Sequence, residues 1–217
     1  MRKSAREYVR RYVRGKKSAA YSANGSRIEL PPAPGPGERF EEPGKQFEDA
    51  LESVHSLAWL LKKAGKPAEA ESLYLEAIPL YRKEIERDRK AIAMNPNATT
   101  NEPFLLEIHK LGKLLIEVGR MEEAEPLYRE ELEGMRNLHG SAHKETLNTI
   151  YSLAKLLKKM GRVEEAIPLF REELEGCRKV YGATHEETLK SARNLAELLD
   201  ENGRAEEAAR LRNDYSV

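Results

Sequence analysis

Apolar residues recur in clusters that end at a glycine, and a second apolar run follows each glycine. A Leu-x-x-Leu-Leu cluster precedes the glycine, and a Glu-Ala-x-x-Leu run follows it. Spacings of three and four residues place such side chains on one face of a helix. Each unit therefore predicts two amphipathic helices joined by a turn. The four turn glycines are Gly65, Gly119, Gly161 and Gly203.

The turn glycines show that these units are copies of one repeat. Gly119, Gly161 and Gly203 are 42 residues apart (161 − 119 and 203 − 161). Gly65 lies 54 residues before Gly119, so the first copy holds 12 extra residues (54 − 42) within residues 82–103. Good helix formers in this insertion predict that the second helix continues for about three extra turns and projects from the repeats.

Each predicted hairpin has two apolar faces, which it cannot bury alone. Neighbouring copies must therefore stack, and three or more are usually needed for a stable core. The predicted fold is an all-α solenoid of four hairpins. We expect an arm and linker at residues 1–43 and the solenoid at 44–217, with copies at about 44–96, 97–139, 140–181 and 182–217.

The third and fourth copies resemble the 42-residue tetratricopeptide repeats of kinesin light chains. The resemblance is carried by Gly140-Ser-Ala-His143-Lys-Glu-Thr146-Leu147 and Gly182-Ala-Thr-His185-Glu-Glu-Thr188-Leu189, followed by the Leu-Ala-x-Leu-Leu, Gly-Arg and Glu-Glu-Ala elements. It covers about residues 44–213. It implies a right-handed superhelix of helix pairs that binds partner peptides on its concave side.

The resemblance concerns the repeats and does not make the chain a kinesin light chain. The paired asparagines typical of that cargo groove are replaced, and only Asn194 matches. The corresponding pairs here are His55-Ser56, His109-Lys110, Tyr151-Ser152 and Arg193-Asn194.

Charge is distributed unevenly along a chain whose net charge is zero. Residues 1–40 hold ten Lys and Arg against three Glu, a net of +7, so the remainder carries −7. A basic arm on an acidic body indicates a segment that engages an anionic partner. The sequence Pro-Pro-Ala-Pro-Gly-Pro-Gly at 31–37 predicts an extended linker after the arm. The candidate anchor residues are Arg2, Lys3, Arg6, Arg10, Arg11, Arg14, Lys16 and Lys17.

The residue pattern gives no indication of catalysis. It contains no phosphate-binding loop, dinucleotide glycine motif or nucleophile elbow. His143 and His185 precede helices at equivalent positions, which favours capping over metal binding. Cys177 is expected to pack in a helix interface. The Glu-Glu pairs recur at 42 residues, which we interpret as solvated helix faces, and we expect no enzyme, cofactor or metal site.

Three functions from different classes remain open. The first is a protein–protein scaffold or adaptor in a larger assembly, which binds a partner segment in its groove and anchors through the arm. The second is a ribonucleoprotein subunit whose arm binds RNA, and the third is weak attachment of the arm to an anionic membrane. No apolar window reaches the length of a membrane span, and no secretory h-region is present, so we expect an intracellular, soluble or peripheral protein.

The predicted groove is built from the first helix of each hairpin. Its middle is basic and partly aromatic, so we expect an acidic or aromatic-containing protein segment across Lys113, Lys155 and Lys158. Trp59 is expected to contact either this ligand or the arm and linker. The candidate groove residues are His55, Trp59, Lys62, His109, Lys113, Ile116, Tyr151, Lys155, Lys158, Arg193 and Glu197.

Overall fold

The described part of the chain is helical throughout. A computed structural model describes residues 54, 57–94 and 102–217. Within those residues there is no β-strand, and the regular elements are eight helices. The predicted all-α solenoid fold is confirmed. The helices are α1 (57–63), α2 (Pro67–Met94), α3 (Glu102–Glu117), α4 (Met121–His139), α5 (Lys144–Lys159), α6 (Val163–Tyr181), α7 (Glu186–Glu201) and α8 (Ala205–Tyr215).

The predicted turn glycines end the first helix of each hairpin. Gly161 has a φ of 74°, in the left-handed region that only glycine adopts readily. Its amide donates to the Lys158 carbonyl, and the Arg162 amide donates to the Leu157 carbonyl. These two bonds form a Schellman motif, which satisfies the last carbonyls of α5. The other three turn glycines, Gly65, Gly119 and Gly203, have φ values of 73°, 77° and 76°.

Small residues allow the two helices of each hairpin to approach closely. In the third hairpin, Ala154 of α5 and Ala166 of α6 are fully buried. Leu156 and Leu157 are 1% exposed and belong to the core between these helices. The apolar spacing therefore identified the buried face of α5 correctly.

The chain divides into two compact units, residues 1–77 and 78–217. In the described part of the first unit, Ala58 of α1 is buried, as are Ala70, Leu73 and Tyr74 of α2. In the second unit, α3 pairs with α4, α5 with α6, and α7 with α8, while α4 also packs on α5 and α6 on α7. This alternation is the stacking that a solenoid requires.

Helix α2 is extended, as the insertion predicts, but it does not project freely. Its 28 residues exceed the 19 of α4 by nine. Arg82 pairs with Glu123 of α4, and Arg89 Nε donates to Glu130 Oε1 over 3.1 Å. The extension therefore lies beside α4 at least as far as Arg89, and the predicted projection is wrong for this stretch.

Several predicted features lie outside the described residues. These are the basic arm with its anchor residues, the Pro/Gly-rich linker and His55. None of the described helices is both long and apolar enough to cross a membrane.

Candidate partner-binding face

The first helices of the last three hairpins expose one row of side chains each. In α5, Leu153, Leu156 and Leu157 are buried, so Lys155 between them points away from the core. Lys113 of α3 and Glu197 of α7 are exposed for the same reason. We call this surface the open face. It comprises His109, Lys113, Ile116, Tyr151, Lys155, Lys158, Arg193 and Glu197.

Side-chain bonds hold α3, α5 and α7 next to one another at the open face. The Glu131 carboxylate of α4 lies 3.0 Å from His109 Nδ1 of α3 and accepts from Thr149 Oγ1 of α5 over 2.8 Å. Lys158 of α5 forms an ion pair with Glu201 of α7 at 2.7 Å. The open face is therefore continuous across the three helices.

Three of the four cations of the open face have no carboxylate partner in the described structure, unlike the arginines of the second helices. Among the described residues, Lys113, Lys155 and Arg193 form no ion pair. By contrast, Arg129 and Arg136 of α4 pair with Glu165 and Glu172 of α6, at 3.2 and 2.6 Å. The arginines of the second helices are thus paired with carboxylates of the described chain, whereas Lys113, Lys155 and Arg193 are not.

His109 is more buried than a groove-lining residue would be. Its side chain is 21% exposed, because the ring binds Glu131 and packs edge-on against Tyr128 with centroids 5.4 Å apart. Burial raises the pKa of the Tyr128 hydroxyl, with a smaller contribution from the Glu131 charge. His109 thus forms the floor of the open face.

Tyr151, the equivalent of His109 in the next repeat, supplies an aromatic surface. Its ring packs edge-on against Phe170, with centroids 6.0 Å apart, and Lys155 Nζ lies 5.9 Å from its centroid. The ring is half-buried, so part of it remains available beside Lys155. Ile116 is likewise half-buried, and Lys158 is engaged by Glu201.

In the first unit, Trp59 and Lys62 of α1 are exposed. The indole of Trp59 is 54% exposed, and Lys63 Nζ lies 4.0 Å from its ring centroid. Lys62 Nζ lies 5.6 Å from the Tyr74 ring. A cation–π contact of this kind already covers one face of the tryptophan.

Sequence reasoning missed two features near the open face. Lys110 of α3 is half-exposed and forms no ion pair within the described chain, although it lies one turn before Lys113. Glu131 and Glu173 are only 2% and 7% exposed, so interpreting them as solvated was wrong. Each lies seven residues after a buried alanine, Ala124 or Ala166, and two helical turns return a side chain to the same face.

The remaining candidate chemistry is structural. His143 and His185 accept bonds from the amides two residues ahead, Glu145 and Glu187, at 3.4 and 3.2 Å, and so cap α5 and α7. Cys177 is buried, and burial raises the pKa of its thiol to about 11. Across the described residues, no group of three or more His, Cys, Asp or Glu is placed to hold a metal ion.

Family models and solved structures agree with this architecture. The tetratricopeptide repeat family matches residues 104–175 and 146–214, and a second tetratricopeptide model matches residues 50–88. The chain belongs to the tetratricopeptide repeat family. A search of curated proteins by sequence gave no match.

Two solved structures share the fold at low sequence identity. One contains nearly identical TPR-like repeats of a Podosopora anserina protein assigned as a kinesin light chain. It has 23% identity and a TM-score of 0.60, and the alignment covers 81% of this chain and 75% of that one. The other is BtubC (BKLC) from P. vanneervenii, with 22% identity, a TM-score of 0.53 and coverage of 79% and 65%. The likeness to kinesin light chain-type repeats is thus confirmed at the level of the fold.

Proposed function

We propose that this chain is a non-catalytic scaffold that holds an acidic segment of a partner protein on its open face. Tetratricopeptide solenoids generally act by binding other proteins, and their extended surfaces suit peptide segments. The observation that carries the proposal is the positive charge of Lys113 and Lys155, which have no ion pair among the described residues. Other exposed lysines also lack an ion pair within the described chain, but Lys113 and Lys155 share the open face with the half-buried ring of Tyr151.

Charge complementarity specifies the chemistry of the partner. A carboxylate above α3 and α5 meets Lys113 and Lys155 without displacing an ion pair of the described chain. Lys158 differs, because a ligand carboxylate there must compete with Glu201. The half-buried ring of Tyr151 offers an apolar surface beside Lys155, which favours an aromatic or aliphatic side chain in the segment.

A wider role in a multi-subunit assembly, with the basic arm as anchor, also belongs to this proposal. The arm residues lie outside the described structure, so this part rests on their charge alone. The RNA-binding alternative rests on the same residues, and nothing in the described helices favours it.

Binding of two labelled peptides tests the proposed face. One is rich in glutamate with a central tyrosine, and the other is a lysine-rich peptide of the same length and labelling. Fluorescence anisotropy should show binding of the acidic peptide only. The K113E/K155E double variant should weaken this binding by about tenfold or more, because two attractive charge pairs become repulsive.

The matched control is K83E/K179E, which makes the same change in net charge at two exposed lysines of the second helices, away from the open face. It should leave affinity nearly unchanged. Equal loss in both double variants would mean that only overall charge attracts the peptide. Full affinity in K113E/K155E would place the binding surface elsewhere and refute the proposal.

A further inference from the structure

Two equivalent glutamates occupy the repeat junctions in different environments. Glu131 of α4 and Glu173 of α6 are 42 residues apart and both buried. Each accepts a bond from a hydroxyl on the next first helix, Thr149 of α5 or Ser191 of α7, over 2.8 and 2.7 Å. The carboxylates therefore bridge successive repeats in the same way.

The third member of the cluster differs between the two junctions. At Glu131, the His109 ring nitrogen lies 3.0 Å from both carboxylate oxygens. At Glu173 the equivalent residue is Tyr151, whose ring packs on Phe170 instead. Glu173 Oε2 consequently has no hydrogen-bond partner among the described residues, while the Cys177 thiol donates to Oε1 over 3.4 Å.

When the Glu173 carboxyl group is ionised, one of its two oxygens, Oε2, lacks a hydrogen-bond donor among the described residues. Ser191 has a single hydroxyl proton but lies near two acceptors, Glu173 Oε1 at 2.7 Å and the Glu187 carbonyl at 2.9 Å. If Glu173 carries a proton, its O–H donates to Ser191 Oγ, and Ser191 donates to the Glu187 carbonyl. Protonation therefore lets both short contacts be hydrogen bonds, whereas ionisation leaves a buried negative charge whose Oε2 has no donor among the described residues. The Glu187 carbonyl keeps its helical bond from the Ser191 amide in either state.

We propose that Glu173 makes the junction between α6 and α7 a pH-responsive joint, closed while the carboxyl group holds a proton and looser once the proton leaves. Loosening here separates Ser191 from Glu173 and from Cys177, whose Sγ lies 3.6 Å from Ser191 Oγ. The thiol of Cys177 then becomes reachable from solvent. Since Cys177 is the one cysteine of the chain, it reports on this joint alone.

The groups that act on Glu173 come from all three helices around it. On α7, Glu187 opposes ionisation and Lys190 favours it, but Lys190 also pairs with Glu187 at 3.7 Å. On α6 the titratable neighbour is the Cys177 thiol, and on α5 the equivalent position holds Tyr151. Burial is the largest influence and raises the pKa of Glu173, against smaller opposing effects of the bonds from Ser191 and Cys177.

The direction of the pH response follows from this raised pKa. A carboxyl group that holds its proton more tightly when folded stabilises the joint below the ordinary pKa of about 4.3. The stabilisation falls as the pH rises from this ordinary pKa to the raised pKa of Glu173. Above the raised pKa, the stability of the joint no longer changes with the charge of Glu173. The joint is therefore tighter at mildly acidic pH than at neutral pH.

Thiol labelling of the full chain tests the proposal. The reaction rate of the Cys177 thiol is measured with a dipyridyl disulfide reagent, which reacts in acid as well as at neutral pH. Protection is the rate for the unfolded chain divided by the rate for the folded chain at the same pH. This protection should fall about tenfold per pH unit between about pH 4.3 and the raised value, then become level. Protection independent of pH would overturn the proposal.

Non-titrating variants separate Glu173 from other groups. E173Q should abolish the dependence of Cys177 protection on pH at pH values above about 4.3. If E173Q folds poorly, E173M replaces it, because the methionine side chain needs no hydrogen bond. E131Q is the matched control at the earlier junction and should keep the wild-type profile. If the pH dependence persists in both Glu173 variants, or disappears in E131Q, another group controls the joint.

Discussion

At the scale of single residues, Gly176 in the middle of α6 shows how closely the helices pack. Glycine in a helix interior costs about 1 kcal/mol relative to alanine, so its presence needs a reason. A Cβ at Gly176 would lie 2.2 Å from Leu147 Cδ2, and a Cβ at Gly134 would lie 2.5 Å from Leu105 Cδ2. Both glycines admit a leucine from the paired first helix.

We therefore predict that G176A destabilises the chain despite its better helix propensity. Displacing Leu147 from a filled core costs about 1–3 kcal/mol, which outweighs the helical gain of about 1 kcal/mol in most of that range. In the L147A background the overlap is gone, so the same substitution should become stabilising. Urea unfolding of the four proteins measures this reversal, and simple additivity would contradict it.

Sequence alone identified most residues of the core but misjudged the buried glutamates. Leu156, Leu157 and the small residues at the helix contacts follow from apolar spacing, which is a local property. The helical period places Glu131 and Glu173 on the buried face of their helices, but the hydroxyl groups that bind them come from a neighbouring repeat, which local spacing does not reveal. For the same reason the sequence showed that Lys155 points away from the core but not that Lys158 meets Glu201.

At the scale of helices, arginine–glutamate pairs set the register between successive second helices. Glu123, Glu165 and Glu207 recur at 42 residues, and each binds an arginine at the start of its own helix and one on the preceding second helix. Leu75 is equivalent to Arg129 (129 − 54), yet Glu123 pairs with Arg82, seven residues further along. The insertion thus shifts α2 by about two turns relative to the later pairs.

These pairs predict a stability response to acid opposite to that of Glu173. Hydrogen bonds from Arg162 lower the pKa of Glu165, as those from Arg120 and Arg204 do at Glu123 and Glu207. A lowered pKa contributes stability that is present above about 4.3 and is lost as the pH falls through the lowered value. The melting temperature of E165Q should therefore lie below that of the wild type at neutral pH, and the difference should vanish in acid.

The comparison for E165Q is E133Q, because Glu133 is exposed on α4 and forms no ion pair within the described chain. That variant should melt like the wild type at both pH values. Added salt should also narrow the gap between E165Q and the wild type, since exposed pairs are screened. An E165Q protein that melts like E133Q would show that the pairs fix geometry without stabilising it.

At the scale of the whole molecule, contacts within residues 78–217 run mainly between neighbouring helices. Helix α6 packs against α5 on one side and α7 on the other, whereas α8 packs chiefly against α7. Of the 11 residues of α8 only Ala208 is buried. Helix α8 therefore presents mostly polar side chains, and its Arg212 pairs with Asp200 of α7.

This nearest-neighbour arrangement predicts graded stability along the solenoid. Stability in such chains is close to a sum of repeat and interface terms, so a helix with one close neighbour opens most readily. Amide hydrogen exchange should be fastest in α8 and slowest in α5 and α6.

Replacing Leu199, 1% exposed in α7, with alanine removes core contacts and should accelerate exchange in α7 and α8 far more than in α3 and α4. The exposed neighbour Asp200 pairs with Arg212, so the suitable control is E197A on the open face, which should change exchange little. Equal acceleration in all the helices of residues 102–217 by the Leu199→Ala change would mean that this part of the chain opens as one cooperative unit, and graded stability would then be refuted.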